Sequence, residues 1–95
     1  HKDGNDATAL HYCAEYQDIS MASVLLQHNA DINAEDKFGN QPLWYAVFEA
    51  RGKYELVELL MENGANSEHK NRANRSPLNF AKQIEDAELV RILSK

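Results

Sequence analysis

Apolar residues recur at intervals of three and four positions in three parts of the chain, which is the spacing of a helix with one buried face. These parts are residues 19–26, 54–61 and 87–93. A shorter apolar segment precedes each of them, at residues 10–16, 43–50 and 78–84. The pattern predicts six short helices in three pairs. No pair is large enough to bury its own apolar face, so stacking on a neighbouring pair must bury it.

The three helix pairs are copies of one sequence unit. The first helices begin with the segments TALHYCA, QPLWYAV and SPLNFAK, which start at Thr8, Gln41 and Ser76. Leu10, Leu43 and Leu78 mark the same position in each copy and stand 33 and 35 residues apart. A period of this length indicates a stacked repeat array rather than one closed core.

The residues around each helix have matching conformational roles. Asp6, Gly39 and Asn74 are the fourth residues of the turns that open the repeats, and these residue types accept positive φ most readily. Asn29 and Gly64 stand where the second helices should end in a left-handed residue. Thr or Ser at the helix start can cap free backbone N–H groups, and proline suits the first helical position. These residues are Thr8, Ser76, Pro42 and Pro77.

With these motifs the chain resembles an ankyrin repeat protein, whose signature segments are T-P-L-H-x-A and L-L-x-x-G-A-D. The resemblance covers residues 1–95 as a single domain, with repeats at about 3–35, 36–70 and 71–95. It implies an all-α solenoid of three stacked helix-turn-helix units joined by β-turn or hairpin-like loops. Only His11 keeps the signature histidine. Two extra residues in the interval 48–53 lengthen the middle repeat.

The resemblance also implies where a partner protein would bind. Ankyrin proteins usually dock partners on the hollow side formed by the turn tips and first helices. Gly4, Asn5, Gln83 and Ile84 are among the exposed positions expected there. The residues expected to bind the partner are Tyr12, Glu15, Tyr16, Lys37, Phe38, Asn40, Tyr45, Phe48, Glu49, Arg72 and Arg75.

An alternative remains open for some of the aromatic residues. Tyr12, Tyr45 and Phe80 occupy the same position in the three first helices, and they could be half-buried packing between stacked helices. Trp44 replaces the signature histidine and is expected to pack under the turn. Phe38 is an apolar residue at a turn tip, where contact with solvent would favour a polar one, so we interpret it as part of a binding surface.

Composition and charge narrow the class of partner. The chain has 95 residues, of which 43% are hydrophobic and 26% charged, a globular balance. The net charge is −5, and residues 1–69 carry four Lys or Arg against twelve Asp or Glu. Residues 70–95 carry six against three. An acidic bulk repels phosphates, so we expect no nucleic acid and favour a basic protein partner that is steered to an acidic hollow face.

The residue pattern predicts neither a catalytic site nor a metal site. His11 and Cys13 are two apart on a helix and therefore point in different directions, so they predict no nucleophilic site. The four histidines lack ligand spacing, and a single cysteine suggests no zinc, so we expect neither a metal nor a cofactor. Glu55, Glu58 and Glu62 are interpreted as a solvated stripe. Cys13 is interpreted as a small residue that lets two helices approach.

These observations predict a non-enzymatic protein–protein interaction scaffold that is monomeric by itself and binds on its concave face. One alternative is a small acidic inhibitor or immunity protein that neutralises a basic enzyme or toxin. Another is a regulatory ankyrin segment of a larger multidomain protein. A lone cysteine agrees with a reducing compartment, so a cytoplasmic location is expected. The absence of any apolar run of about 18 residues predicts no membrane span.

Overall fold

The computed structural model describes residues 6–94, and its secondary structure there consists of six short helices. In chain order these are α1 Ala9–Tyr16, α2 Ile19–Gln27, α3 Pro42–Phe48, α4 Glu55–Glu62, α5 Pro77–Gln83 and α6 Ala87–Leu93. Each odd-numbered helix packs on the even-numbered helix that follows it, and the three pairs stack so that α1, α3 and α5 form one row and α2, α4 and α6 a second. The predicted all-α array of stacked helix pairs is confirmed.

Helix starts follow the capping residues. The Thr8 hydroxyl accepts a hydrogen bond from the His11 backbone N–H, and the His11 ring in turn accepts one from the Thr8 N–H, which completes a reciprocal capping box. The Ser76 hydroxyl caps α5 by accepting from the Asn79 N–H at 3.1 Å. Gln41 provides no side-chain cap, and Pro42 begins α3 instead. These bonds occupy backbone N–H groups that a helix leaves unpaired.

The second helices of the first two repeats end in the same left-handed turn. Asn29 has φ of 65° and Gly64 has φ of 91°, as the sequence predicts. The Ala30 N–H donates to the Leu25 carbonyl at 3.0 Å, and the Ala65 N–H donates to the Leu60 carbonyl at the same distance. These bonds pair carbonyl groups in the last turn of each helix, and the left-handed residue ends the helix there.

The turns between repeats are hairpin-like, although no strand is assigned within residues 6–94. In the first of these turns the Asp36 carboxylate accepts from the Phe38 and Asn40 N–H groups at 2.9 and 3.0 Å, and the Asn71 amide oxygen does the same for Ala73 and Arg75 in the next. The Arg72 N–H donates to the Phe38 carbonyl at 3.0 Å and joins the two turns. The turn residues Asp6, Gly39 and Asn74 have φ of 62°, 77° and 63°, as predicted.

Leucine and isoleucine side chains from every repeat form one continuous core. Leu10, Leu43, Leu56, Leu60 and Ile92 are at most 2% exposed. Small residues at one position of the first helices let the rows approach closely: these are Cys13, Ala46 and Ala81, all buried. The extra residues of the middle repeat lie in the loop between α3 and α4, in which Arg51, Gly52 and Lys53 are exposed. Helix α3 ends at Phe48 rather than near residue 50, where the sequence had predicted its end.

Gly39 and Gly64 allow the cost of a side chain at positive φ to be measured separately from the cost of steric crowding. A Cβ on Gly39 would lie 3.0 Å from the Arg72 backbone nitrogen, whereas a Cβ on Gly64 would have no neighbour within 4 Å. Both residues have positive φ, so Gly64→Ala should cost about 1–2 kcal/mol of unfolding free energy. Gly39→Ala should cost about 1 kcal/mol more, since it also crowds the neighbouring turn. Urea denaturation of both variants measures this difference, and equal losses would contradict the role assigned to the Gly39–Arg72 contact.

Candidate functional site

The predicted partner-binding residues differ widely in exposure. Tyr12, Tyr16, Lys37, Phe38, Phe48 and Arg72 are exposed. Glu15, Tyr45, Glu49 and Arg75 are partly buried. Asn40 is buried, with 8% of its surface accessible. The structure therefore divides this set into residues that a partner could contact and residues that hold the face together.

The expectation that Asn40 is exposed is wrong. Its carbonyl oxygen accepts a hydrogen bond from His11 Nε2 at 2.8 Å, and its amide nitrogen lies 3.3 Å from the Tyr45 hydroxyl. Its amide oxygen accepts from Asn71 Nδ2 at 2.8 Å. Asn40 thus connects all three repeats. These bonds use its polar groups inside the protein and leave little of it for a ligand.

Tyr45 is also held by internal contacts. Its hydroxyl donates a hydrogen bond to the Asp36 carboxylate, whose other oxygen holds the turn. Its ring meets the His11 ring edge-on, with the ring centroids 5.9 Å apart. Burial, followed by the hydrogen bond to Asp36, raises the pKa of Tyr45 to about 12. The packing interpretation therefore describes Tyr45 better than the partner-binding one.

Three aromatic rings form a cluster across α3 and α5. Phe48 and Phe80 have ring centroids 5.2 Å apart, and Trp44 lies 6.2 Å from Phe48 and 5.7 Å from Phe80. We call Trp44, Phe48 and Phe80 the aromatic cluster. Phe48 is 50% exposed, while Trp44 and Phe80 are partly buried. Such spacings are typical of favourable ring–ring contacts, so the cluster is a preformed apolar surface.

Arg75 extends the aromatic cluster with a positive charge. Its guanidinium lies 5.9 Å from the centroids of both Trp44 and Phe80, a distance at which a cation interacts favourably with a ring. Arg75 Nη2 also donates a hydrogen bond to the Gln83 amide oxygen. The guanidinium therefore lies beside the rings and has a hydrogen-bond partner on α5.

Phe38, an aromatic residue outside the aromatic cluster, protrudes from a turn. Phe38 is 50% exposed at the tip of the turn that opens the second repeat, and the Lys37 ammonium lies 5.3 Å from its ring centroid. The Phe38 backbone is anchored by its bond from Arg72, so the ring is presented on a fixed turn. Phe38 and Lys37 can contact a partner without any rearrangement of the core.

Sequence patterns missed part of this surface. Trp44 was expected to pack under a turn, and its ring does lie beneath the guanidinium of Arg75 in the following turn. It also contacts Phe48 and Phe80, which the sequence did not predict. Tyr12 and Tyr16 line a different groove, together with Ala9, Asp18 and Met21. Trp44 and Phe48 are four residues apart on α3, and Phe80 lies on the neighbouring first helix α5. This spacing was the available signal that the three rings could share one surface. The sequence alone did not show which rings meet.

His11 and Cys13 form no nucleophilic pair. Both His11 ring nitrogens are engaged, Nε2 as the donor to Asn40 and Nδ1 with Thr8. Burial, with a smaller contribution from Asp18, raises the pKa of the Cys13 thiol and so disfavours the reactive thiolate. Among residues 6–94, no helix has the length and apolar character needed to cross a membrane.

A row of short helix pairs, each stacked on its neighbour, defines the class of helical repeat solenoids. The family model described as ankyrin repeats (3 copies) matches residues 1–71, and the chain belongs to the ankyrin repeat family. Ankyrin repeats are generally protein-interaction modules rather than catalysts.

The chain is also similar to parts of several longer proteins. It is 30% identical over 82 residues to the palmitoyltransferase AKR1 of Candida albicans, a match that covers 86% of this chain and 10% of the relative. It is 33% identical over 92 residues to the ADP-ribosylation factor GTPase-activating protein AGD1 of Arabidopsis thaliana, covering 95% and 11%. The putative ankyrin repeat protein FPV024 of Fowlpox virus is 32% identical over 73 residues, covering 76% and 12%. The chain thus spans about a tenth of the length of these relatives.

The Tyr45–Asp36 bond predicts a loss of stability in alkali. Unfolded Tyr45 loses its proton near pH 10, whereas folded Tyr45 keeps it to about pH 12. Stability from this group is therefore fully present below pH 10 and decreases as the pH rises to 12. Tyr45→Phe should flatten this decrease in urea midpoints measured from pH 8 to 11.5. Tyr16→Phe, with its exposed ring, is the matched control; a decline in Tyr45→Phe as steep as in the parent would contradict the assignment.

Proposed function

We propose that the chain is a non-enzymatic protein-interaction scaffold that binds its partner on the concave face of the first helices and turn tips. The observation that supports this most directly is the aromatic cluster, in which Phe48 is half exposed on a preformed apolar surface. Aromatic and arginine side chains contribute most of the binding energy at protein interfaces. The aromatic cluster, Arg75 and the Phe38 tip supply these residue types on one row of helices and its turns.

The contacts around these residues also support the proposal. Ordering a flexible side chain on binding costs free energy, and a side chain that is already fixed avoids part of that cost. Arg75 is held by Gln83, and Phe48 is held by Trp44 and Phe80. A partner would therefore meet side chains that are already in place.

The proposed face carries charges of both signs rather than the acidic excess expected there. The turn tips carry Lys37, Arg72 and Arg75, while Glu15 and Glu49 lie on or next to the first helices, so the proposed face carries both signs. The acidic excess expected there lies partly elsewhere, because exposed Glu55, Glu58 and Glu62 belong to α4 in the second row. Steering of a basic partner by the net charge of −5 remains part of the proposal, with short-range contacts of mixed character at the face.

A role as a regulatory segment of a larger protein is the second candidate. It is favoured by the relatives, of which this chain covers about a tenth of the length. In that case the scaffold would serve the polypeptide that carries it. The inhibitor hypothesis rests on the acidic composition alone and predicts a basic target.

Alanine at Phe38 and Phe48 tests the proposed face. The partner is first identified by cross-linking and mass spectrometry from source lysate, and its Kd is then measured by calorimetry. Each substitution should weaken binding by more than about 1 kcal/mol, roughly a fivefold rise in Kd, because each removes a half-exposed anchor. The melting temperature should change little for Phe38→Ala, whose ring contacts only Lys37 among the described ring interactions.

Val24→Ala is the matched control, since Val24 is a similarly exposed apolar residue on α2 in the other helix row. It should leave the Kd unchanged. Equal affinity of the parent and the Phe38/Phe48 double variant would remove the concave face from consideration. Loss of affinity in the Val24→Ala variant alone would instead place the contact on the second helices.

A further inference from the structure

The two turns that open the second and third repeats carry three cationic side chains, Lys37, Arg72 and Arg75. Lys37 and Arg72 are exposed, and Arg75 is partly buried beside the aromatic cluster. Among residues 6–94, none of the three forms an ion pair with a carboxylate. The tips of these turns therefore offer positive charge for which the described part of the chain supplies no anionic partner.

The carboxylates at the base of these turns have partners inside the protein. Asp36 is 5% exposed and accepts hydrogen bonds from two backbone N–H groups of its own turn and from the Tyr45 hydroxyl. The Glu35 carboxylate lies 3.7 Å from His69 Nε2. A ligand that approaches the tips therefore meets the cationic side chains first.

The other carboxylates of the proposed face lie towards the far ends of the first helices. Glu15 is six residues after the start of α1 and Glu49 is seven residues after the start of α3, about 9 and 10 Å along the helix axes. At physiological ionic strength, salt screens exposed charges beyond about 8 Å. A ligand at the tips is therefore affected more by Lys37, Arg72 and Arg75 than by the net charge of −5.

Aromatic rings lie beside these cations. The Lys37 ammonium is 5.3 Å from the centroid of the half-exposed Phe38 ring, and the Arg75 guanidinium is 5.9 Å from that of Trp44. The Arg72 N–H donates to the Phe38 carbonyl and joins the two turns. A ligand at the tips can therefore place a carboxylate against a cation and an apolar side chain against a ring at the same time.

We propose that the part of the partner that binds at the tips is an acidic peptide segment, in which aspartate or glutamate residues flank an apolar side chain. This inference rests on the proposed function and adds the chemistry of the ligand. Carboxylates and cationic side chains form charge-assisted hydrogen bonds, which are stronger than those between neutral groups. A partner that is basic overall can still carry such a segment, because the contacts at the tips act at short range.

Nucleic acid matches the same surface less well. Its backbone carries a negative charge at every nucleotide, so a strand that runs from the tips along the first helices would also approach Glu15 and Glu49. The net charge of −5 opposes its approach as well. A peptide can confine its acidic residues to the tips.

Selection from a random library of short displayed peptides tests the proposal. The library is sequenced before and after selection on the 95-residue chain. We expect enrichment of aspartate or glutamate beside leucine, phenylalanine or tryptophan, and depletion of lysine and arginine. Selected peptides that are basic, or that show no charge preference, would overturn the proposal. A single-stranded DNA oligonucleotide that displaces the peptides at equal concentration would overturn it in favour of nucleic acid.

Binding of the selected peptides to the Phe38→Ala/Phe48→Ala double variant separates this proposal from the proposed function. Non-acidic peptides that bind the double variant more weakly than the parent would support the concave face and refute the acidic ligand. Acidic peptides that bind both proteins equally would refute the concave face, and with it this inference. A library that yields no binder would refute the peptide ligand only, since a folded partner surface could still occupy the face.

Charge reversal at Arg72 tests the role of the cations. Arg72→Glu should raise the Kd of a selected acidic peptide about tenfold, because it replaces attraction by repulsion. Lys53→Glu is the matched control: it changes the net charge equally, but Lys53 is exposed in the loop between α3 and α4. It should leave the Kd unchanged. Both side chains are exposed, so both variants should keep the parent's melting temperature. Equal rises in Kd for the two variants would assign the effect to the overall charge and overturn the proposal.

Discussion

Burial of the apolar flank of each helix pair by the next pair is the interaction on which this structure depends. The helices are seven to nine residues long, and helices of that length are unstable in isolation. Leu10, Leu43, Leu56 and Leu60 become almost fully buried only because the pairs stack in two rows. Each repeat is therefore stable only as part of the array, where contacts with its nearest neighbours stabilise it.

A polar network fixes the register of the stack where apolar contacts alone would let it slide. His11 reaches from the first repeat to the Asn40 carbonyl in the second, and Asn71 reaches from the third to the Asn40 side chain. Asp36 ties the turn around Asn40 to the Tyr45 hydroxyl. Buried polar groups are costly unless they are paired, so this network forms at one register of the repeats only. The consequence is a rigid row of turns that holds Phe38 and the aromatic cluster in place.

Local signals in the sequence predicted most of the fold. The helix pairs, the caps at Thr8 and Ser76 and the positive φ at Gly39, Asn74 and Gly64 all depend on residues close in sequence, and each is found. The site was predicted less well because it depends on contacts between repeats. Asn40 occupies a turn position that looks exposed in the sequence, but it is buried and bonded to His11 in the first repeat and to Asn71 in the third. The meeting of Trp44 with Phe80 depends equally on how α3 and α5 stack.

The second interface of the array explains why the aromatic surface lies where it does. At the first interface His11 donates to the turn of the following repeat, but the same position in the second repeat is Trp44, whose ring lies beneath the guanidinium of Arg75 in the following turn. That turn is held instead by the Arg72 bond to Phe38, by Asn71 and by a contact of 3.1 Å between His69 Nε2 and the Gly39 carbonyl. These bonds hold the turn without a histidine at position 44. A large ring can then pack against Phe48 and Phe80, so the departure from the family signature and the aromatic cluster have the same structural cause.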